Sequence, residues 1–496
     1  AEAAGKPLSA EQQKRIADIR AEMQSALADP TVATRWNWNT PFVLSKHDAN
    51  VFYAGADKLF KSVNGGLDLH AISPDLSTQD EQILRVTTGF DAQGNAAPDA
   101  TGGITRDATG AEENATIVTI GESPARPGLL YVGTSDGKVW VTRNDGGAWE
   151  DLTARFAGVP KGTYVSRVEP SRHAEGTVYV SFDGHRDNDF TPYLFVSTDY
   201  GKTFTSLGGG VPRDRPNSVY VVREDPVNAD LLYIGTELGV SASLDRGGSW
   251  FRLATNLPTV PVYDLQVHLR DRELIAGTHG RAIQVLDVAP LQQMTKASMA
   301  QAVQLFTPAP AFRYGQLPAP SEPRSQRPWR GDGGPNGAVI SYRLASSVSG
   351  SVRVSVVDAA GDTLARLNGR NSAGLHRVEW NVNAGGFGGG FGRGGIAPTI
   401  SVPGFPAGFN PRPAEARGAD STQTPEAVRA RLANPRAGGG GGGGFGGGRG
   451  GADGAREITT GDYRVVLHAG DVVQTTVLRV VQVEPGQRAV LVPAVR

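Results

Sequence analysis

The densest set of side chains able to move a proton or hold a polar ligand is the heptapeptide Asp183-Gly-His-Arg-Asp-Asn-Asp189. One imidazole stands there among three carboxylates and a guanidinium, a mixture suited to acid–base work, to sugar hydroxyls or to a hard cation. Asp183, His185, Asp187 and Asp189 are therefore the catalytic candidates, with Arg186 as a binding group. The same residues serve equally well as turn staples, because ion-paired loops also form without function. Thr278-His-Gly-Arg281 is the second candidate: it offers His279 and Arg281 to a ligand or, alternatively, makes a glycine turn with Arg281 paired to a neighbouring carboxylate. Arg167 and Arg223 occupy matching places before Pro170 and Pro226 in successive repeats. Both belong on one rim or channel side, where guanidinium groups grip a carboxylate bidentately.

A glycosidase would need two carboxylates about 5–9.5 Å apart across a cleft. Asp183, Asp187, Asp189, Asp214, Glu224 and Glu237 are the loop carboxylates from which such a pair could come. The 8 histidines are scattered without a His-Glu-x-x-His helix, which argues against a zinc site. No glycine run follows a strand and opens a helix with Lys-Ser/Thr, so neither a metal nor a phosphate-bearing cofactor is expected. Lys+Arg 49 against Asp+Glu 50 leaves a net charge of -1, and no global field draws the chain to nucleic acid or an anionic membrane. The absence of cysteine excludes disulfides, thiolate metal sites and cysteine nucleophiles, and suits passage through an oxidising compartment. No run approaches the ~18 apolar residues of a spanning helix. Ala1 to Pro7 lacks a basic segment followed by an apolar core, and a first residue other than Met leaves room for a leader already removed.

These side chains need a scaffold. Ser9 to Ala28 reads as a helix, capped by Ser9 and Gln12 and carrying Ile16, Ile19, Met23 and Leu27 on one face; residues 1–34 are taken as a connector. From Trp36 to about Val288 the chain turns to short Val-, Tyr- and Thr-rich runs bounded by Gly, Asp, Asn and Pro, which predicts strands and turns. Four segments repeat: Ser62-x-Asn64-x-Gly66-x-x-Leu69, Thr142-x-Asn144-x-Gly146-x-x-Trp149, Ser197-x-Asp199-x-Gly201-x-x-Phe204 and Ser243-x-Asp245-x-Gly247-x-x-Trp250. A fifth unit around Thr278 lacks the terminal motif. At such a hairpin tip Gly supplies positive φ, the Asp or Asn bonds back to the backbone, and the hydroxyl closes the turn. The aromatic residue plugs the gap beneath it and against the neighbouring unit. Repeats of this kind, each with about four strand-like runs, predict four-stranded propeller blades over residues 35–290. About five are visible, either as a compact ring or as half of a larger one completed by a missing N-terminal segment or a second chain.

The repeat resembles the Asp-box, or bacterial neuraminidase repeat, of sialidases, tandem-propeller xyloglucanases and sortilin-like receptors. The chain is most similar to bacterial sortilin-like repeat proteins of glycosyl-hydrolase designation, through Arg35-Trp-Asn-Trp-Asn-Thr-Pro41, Phe182-Asp-Gly-His-Arg186, Asp199-Tyr-Gly-Lys-Thr203 and Gly277-Thr-His-Gly-Arg281. The resemblance implies the propeller fold over residues 35–290 and a carbohydrate-related role. Departures limit it: no Phe/Tyr-Arg-Ile-Pro segment occurs, and no Tyr–Glu nucleophile pair can be assigned.

After Pro290 a linker, 291–335, leads to alternating runs at Val339–Leu344, Val352–Val357, Arg377–Val382, Tyr463–Leu467 and Thr475–Val483. Over 336–496 they resemble the immunoglobulin-like sandwich that follows such propellers, interrupted by a glycine-rich insertion at 384–456. The expected function is a secreted, periplasmic or cell-surface propeller that binds glycan or protein through rim loops without catalysis. The alternatives are a glycoside hydrolase using cleft carboxylates and a structural subunit of a surface assembly.

Overall fold

The computed structural model describes residues 13–15, 34–80, 82–84, 113–213, 215–253, 257–314, 337–382 and 458–483. Of the expected N-terminal helix, residues 13–15 are described and are helical; its remainder, the insertion 384–456 and Asp214 lie outside the described residues. The chain divides into two compact units. The first comprises Ala1–Trp250, Thr259–Val267 and Leu274–Val285, and the second Phe251–Pro258, His268–Glu273 and Leu286–Arg496.

Among the described residues strand far outweighs helix, and the strands of the first unit form antiparallel meanders. The first sheet runs β1 (Phe42–Leu44), β2 (Phe52–Gly55), β3 (Leu59–Ser62), β4 (His70–Ala71), and the second β5 (Ile117–Glu122), β6 (Leu130–Thr134), β7 (Val139–Thr142), β8 (Glu150–Asp151). The third is β9 (Tyr164–Pro170), β10 (Val178–Gly184), β11 (Asp189–Ser197), β12 (Thr205–Ser206), and the fourth β13 (Val219–Glu224), β14 (Leu232–Thr236), β15 (Gly239–Ser243), β16 (Phe251–Arg252). A fifth sheet has three strands, β17 (Val262–His268), β18 (Glu273–Thr278) and β19 (Ile283–Asp287).

Successive sheets pack face to face in chain order. Tyr53 and Leu59 of the first meet Ile120, Leu130 and Val132 of the second; Tyr131, Val139 and Val141 meet Val168, Val178 and Val180 of the third; Tyr179 and Leu194 meet Val222, Leu232 and Ile234 of the fourth. The period of two along each second strand explains the pattern, since Leu130 and Val132 face the preceding sheet while Tyr131 faces the following one. Gly133 keeps this spacing because a Cβ there would lie 2.3 Å from Val165 of the next sheet. Four-stranded meanders stacked in this way are the blades of a β-propeller.

The repeated turn motifs join the third and fourth strands. Ser62, Thr142, Ser197 and Ser243 accept the amides of Gly66, Gly146, Gly201 and Gly247 on their hydroxyls at 2.8, 3.0, 2.8 and 2.7 Å. All four glycines have positive φ, between 84° and 99°. Trp149 reaches back to the segment after β4, its indole N–H donating to Ile72 O at 3.0 Å, and Phe204 packs on Phe156 at 4.2 Å. Trp250 is buried, whereas Leu69 is 36% exposed and plugs little.

The choice of Asp or Asn in these turns follows a neighbour. Asp199 and Asp245 each accept an amide on one oxygen, from Thr203 at 2.9 Å and Ser249 at 2.8 Å, and the same residue's hydroxyl on the other at 2.7 Å. Asn144 faces Ala148, which offers an amide alone, at 2.9 Å. The bonds from Thr203, against a small burial penalty, pull Asp199 down from its ordinary 3.8 to about 2. For Asp245 burial pushes upward, but the bonds from Ser249 and Ser243 outweigh it and the net shift is downward. A carboxyl depressed by folding stabilises above its unfolded value and loses that contribution as pH falls toward its folded one. Stability should therefore decline between about pH 4 and pH 2 as these two turns protonate. Asp199→Asn combined with Asp245→Asn should flatten the decline of thermal midpoint over that window, and an unchanged slope would refute the assignment.

One buried hydroxyl is left over. Tyr233 OH donates to Asp225 at 3.0 Å, but the residue matching Asp225 beneath Tyr131 is Ser123, and Tyr131 OH has no hydrogen-bond partner among the described residues. Tyr131→Phe should stabilise by about 1 kcal/mol and Tyr233→Phe should cost about the same, by urea denaturation.

In the second unit, β20 (Val303–Leu305), β22 (Ala338–Leu344) and β25 (Gly374–Trp380) form one sheet, and β21 (Ala311–Tyr314), β27 (Val472–Val483), β26 (Gly461–Ala469), β23 (Val352–Val357) and β24 (Thr363–Gly369) another. Ile340, Tyr342 and Trp380 of one sheet and Val354, Val465 and Leu478 of the other share one core. One expectation changes. Part of the 291–335 stretch read as linker is built into the sheets, β20 pairing with β22 and β21 running parallel to β27. Strand β24, Thr363-Leu-Ala-Arg-Leu-Asn-Gly369 and only half-buried, gave no clear alternation to read. Arg343 donates to the carbonyls of Met299 at 2.7 Å and Gln301 at 3.2 Å, closing the end of the short helix Lys296–Met299.

Candidate functional site

One edge of the first unit gathers the starts of β9, β13 and β17 and the ends of β10, β14 and β18. β9 brings Tyr164 opposite Asp183 at the end of β10. Asp183 is 3% exposed, and its carboxylate accepts His185 Nδ1 at 2.7 and 2.8 Å, the His185 amide at 3.1 Å and Arg186 at 3.1 Å. A carboxylate can only accept, so it places the proton on Nδ1 and leaves Nε2 as the free ring nitrogen. Arg186 lies over the Tyr164 ring at 4.5 Å. The charged heptapeptide is thus stapled around Asp183. Asp189 is spent on the Thr191 amide at 3.0 Å and Tyr193 OH at 2.7 Å, while Asp187 is exposed.

Aromatic rings continue from this loop across three sheets. His185 meets Tyr220 edge-on at 5.8 Å, Tyr220 stacks on Tyr263 at 4.3 Å, and Tyr263 adjoins His279 at 5.5 Å. Tyr220 is buried and Tyr263 is 39% exposed, so Tyr220 backs the presented ring. Tyr220 OH donates to Glu237, which follows β14. Burial, the bond to Glu237 and the field of Asp183 push the Tyr220 phenol far above its usual range. Burial also raises Tyr263, with Asp183 adding to it. A Tyr–Glu contact, which could not be assigned from the sequence, is therefore present between Tyr220 and Glu237. His279 is exposed beside Tyr263, its amide held by Pro261 O at 2.8 Å, and Arg281 is exposed two residues on.

The remaining candidates lie elsewhere. Arg167 and Arg223 do share one side, on the first strands of adjacent sheets, yet both are engaged by carboxylates of the chain. Arg167 pairs with Asp264 at 2.8 Å, and Arg223 pairs with Asp264 at 3.2 Å, binds Glu169 and donates to Leu265 O at 2.6 Å. Glu224, counted among the loop carboxylates, is corrected: it ends β13 at the opposite edge from Tyr220 and is buried, accepting Ser171 Oγ at 2.7 Å and the Arg172 amide at 2.7 Å. Glu122 does the same for Ser45 at 2.9 Å and the Lys46 amide at 2.6 Å. Each latch includes a histidine, His47 on Ser123 O at 2.8 Å and His173 on Asp225 O at 2.7 Å. Among the described residues no group of three or more His, Asp or Glu is placed to hold a metal ion. Tyr164, Tyr220 and Tyr263 went unread from residue types, although a tyrosine recurs near the start of the first strands of the third, fourth and fifth sheets.

No protein family matches the sequence, and no curated protein matches it. Among solved structures the chain is similar to the GH74 xyloglucanase of Xanthomonas campestris, at 14% identity and TM-score 0.34 over 61% of this chain and 41% of that one. It is also similar to a Niastella koreensis GH74 enzyme, at 11% identity and TM-score 0.28 over 68% and 52%. A third likeness is to the β-propeller domain of Myceliophthora thermophila Cps50 (Swd1), at 14% identity and TM-score 0.34 over 52% and 68%. The chain spans less than two thirds of either GH74 enzyme, and likenesses of this strength assign neither chemistry nor ligand.

Proposed function

We propose that this chain is an extracytoplasmic, non-catalytic β-propeller that binds a glycan on the edge carrying Tyr263. The observation behind the reading is the file His185–Tyr220–Tyr263–His279, which sets an exposed, rigidly backed ring between two imidazoles. The C–H face of a pyranose offers weakly positive, apolar surface to the negative face of an aromatic ring, and its hydroxyls take the donors and acceptors around it. His185 Nε2, Arg186, His279 and Arg281 supply those. Asp183 and Glu237 are each tied down by neighbours, which suits an orienting role better than proton transfer in turnover. In this reading the turn motifs are Asp-boxes of the sialidase and sortilin type, the second unit is an immunoglobulin-like spacer, and the cysteine-free chain works outside the cytoplasm.

A glycan array followed by calorimetry on the full chain tests it. Tyr263→Ala should weaken binding about tenfold while the fold is kept, since the ring is partly exposed and stacking of this kind is worth about 1 kcal/mol or more. A hydrolase is the second reading, favoured by the two carboxylates that flank one tyrosine pair. Turnover of chromogenic glycosides abolished by Glu237→Gln would establish it and overturn the binding role; capture of a protein ligand with no glycan bound would overturn the glycan assignment.

A further inference from the structure

The three junctions among the first four sheets share one design, and the first and fifth sheets each carry half of it uncovered. At every junction the side of a sheet that faces the next one, here its trailing face, packs on the leading face of its successor. Strand pairing identifies the leading positions: Ile120 opposite Val132 in the second sheet, Val168 opposite Val180 in the third, Val222 opposite Ile234 in the fourth. Ile120, Val168 and Val222 are 7%, 1% and 0% exposed. The matching pair in the first sheet is Phe42 opposite Ala54, with Leu44 opposite Phe52 one step on. Phe42 and Leu44 are 67% and 60% exposed, and Trp38 beside them is 72% exposed. At the other end, Ile283 and Val285 stand two apart on β19 and so share a face; they are 68% and 56% exposed.

The latches say which faces match. Where a leading face ends in glutamate, Glu122 or Glu224, the preceding sheet supplies Ser45-Lys-His47 or Ser171-Arg-His173. The third sheet has Pro170 at that place, and the second sheet ahead of it continues as Ser123-Pro-Ala125, without the histidine. The first sheet has Leu44 there, and the segment after β17 reads Leu269-Arg-Asp271, again without the serine–basic–histidine set. The open leading face and the open trailing face thus agree in being apolar and in lacking the latch, and they continue the established series of junctions.

We propose that the leading face of the first sheet receives the trailing face of the fifth sheet of a second copy of this chain, in a head-to-tail contact. Such a contact uses two different patches, so it propagates from copy to copy until it closes or is capped. Apolar patches of this kind on neighbouring strands mark interaction surfaces, and a further copy of the chain brings a partner for each of the two patches. The contact is independent of the glycan edge, which uses other residues.

Sedimentation velocity on the full chain provides the test. Wild type should show mass rising with concentration beyond one chain. Phe42→Asp and Ile283→Asp should each remain at the mass of one chain, because each lacks one of the two faces, while an equimolar mixture of the two should form a 1:1 pair and nothing larger. Leu44→Lys and Val285→Lys repeat the pattern at neighbouring positions, and near-ultraviolet circular dichroism identifies variants that retain the fold. A wild type that stays at one chain at every concentration overturns the proposal, as does association unaffected by either substitution. A mixture that fails to pair while wild type associates would mean like faces meet, and that also overturns it.

Discussion

Gly146→Ala should lose about 3–4 kcal/mol of unfolding free energy, whereas Gly66→Ala at the matching place should lose about 1 kcal/mol. Both glycines sit in the same motif at nearly the same positive φ, 92° and 99°, so the conformational strain of a side chain is common to the pair. Space divides them. A Cβ on Gly146 would lie 2.4 Å from the carbonyl oxygen of Ile72 and 2.9 Å from its Cβ, while a Cβ on Gly66 meets nothing within 4 Å. The obstructing atom is backbone, and the same carbonyl already accepts the Trp149 indole at 3.0 Å, so it cannot retreat without breaking the bond that closes the junction. Urea denaturation of the two variants beside wild type measures the difference, and equal losses would show that strain at the turn, not the fit between sheets, requires the glycine.

Glu224→Ala should cost about 3 kcal/mol, and Glu224→Gln about 1 kcal/mol. The carboxylate is 5% exposed and serves Ser171 Oγ, the Arg172 amide at 2.7 Å and, at 3.5 Å, Tyr179 OH, all from the preceding sheet. Alanine leaves the buried Ser171 hydroxyl and the Arg172 amide without this acceptor and opens a void, whereas the amide oxygen of glutamine still accepts. Equilibrium denaturation followed by Trp fluorescence reads both variants. A Glu224→Ala protein as stable as wild type would show that the latch contributes nothing to holding the third and fourth sheets together.

Short-range chemistry made much of the first unit legible. A hydroxyl, an Asp or Asn and a glycine within five residues close their own turn, so Ser197, Asp199 and Gly201 could be placed before any contact was known. The recurring, near-continuous apolar runs ahead of each motif likewise mark β2, β6, β10 and β14, because both faces of those strands are buried. Less was legible in the second unit, where β20 and β24 are short or half-buried and carry a weak alternation. In the charged heptapeptide the residues were identified but their division of labour was not: Asp183 proved to be the buried anchor and Asp189 a turn acceptor, a difference set by depth that residue type does not encode.

What the chain order determines unaided is each sheet, its hairpin tips and the side on which its aromatic residues emerge, since those depend on neighbours a few positions away. Only packing between sheets decided what the charged and aromatic groups do. It brought Asp264 to Arg167 and Arg223, set Glu224 against Ser171, and lined up His185, Tyr220 and Tyr263. The partners lie tens of residues apart, and their meeting depends on how one sheet is laid against the next, a quantity summed over many apolar contacts and written in no local motif.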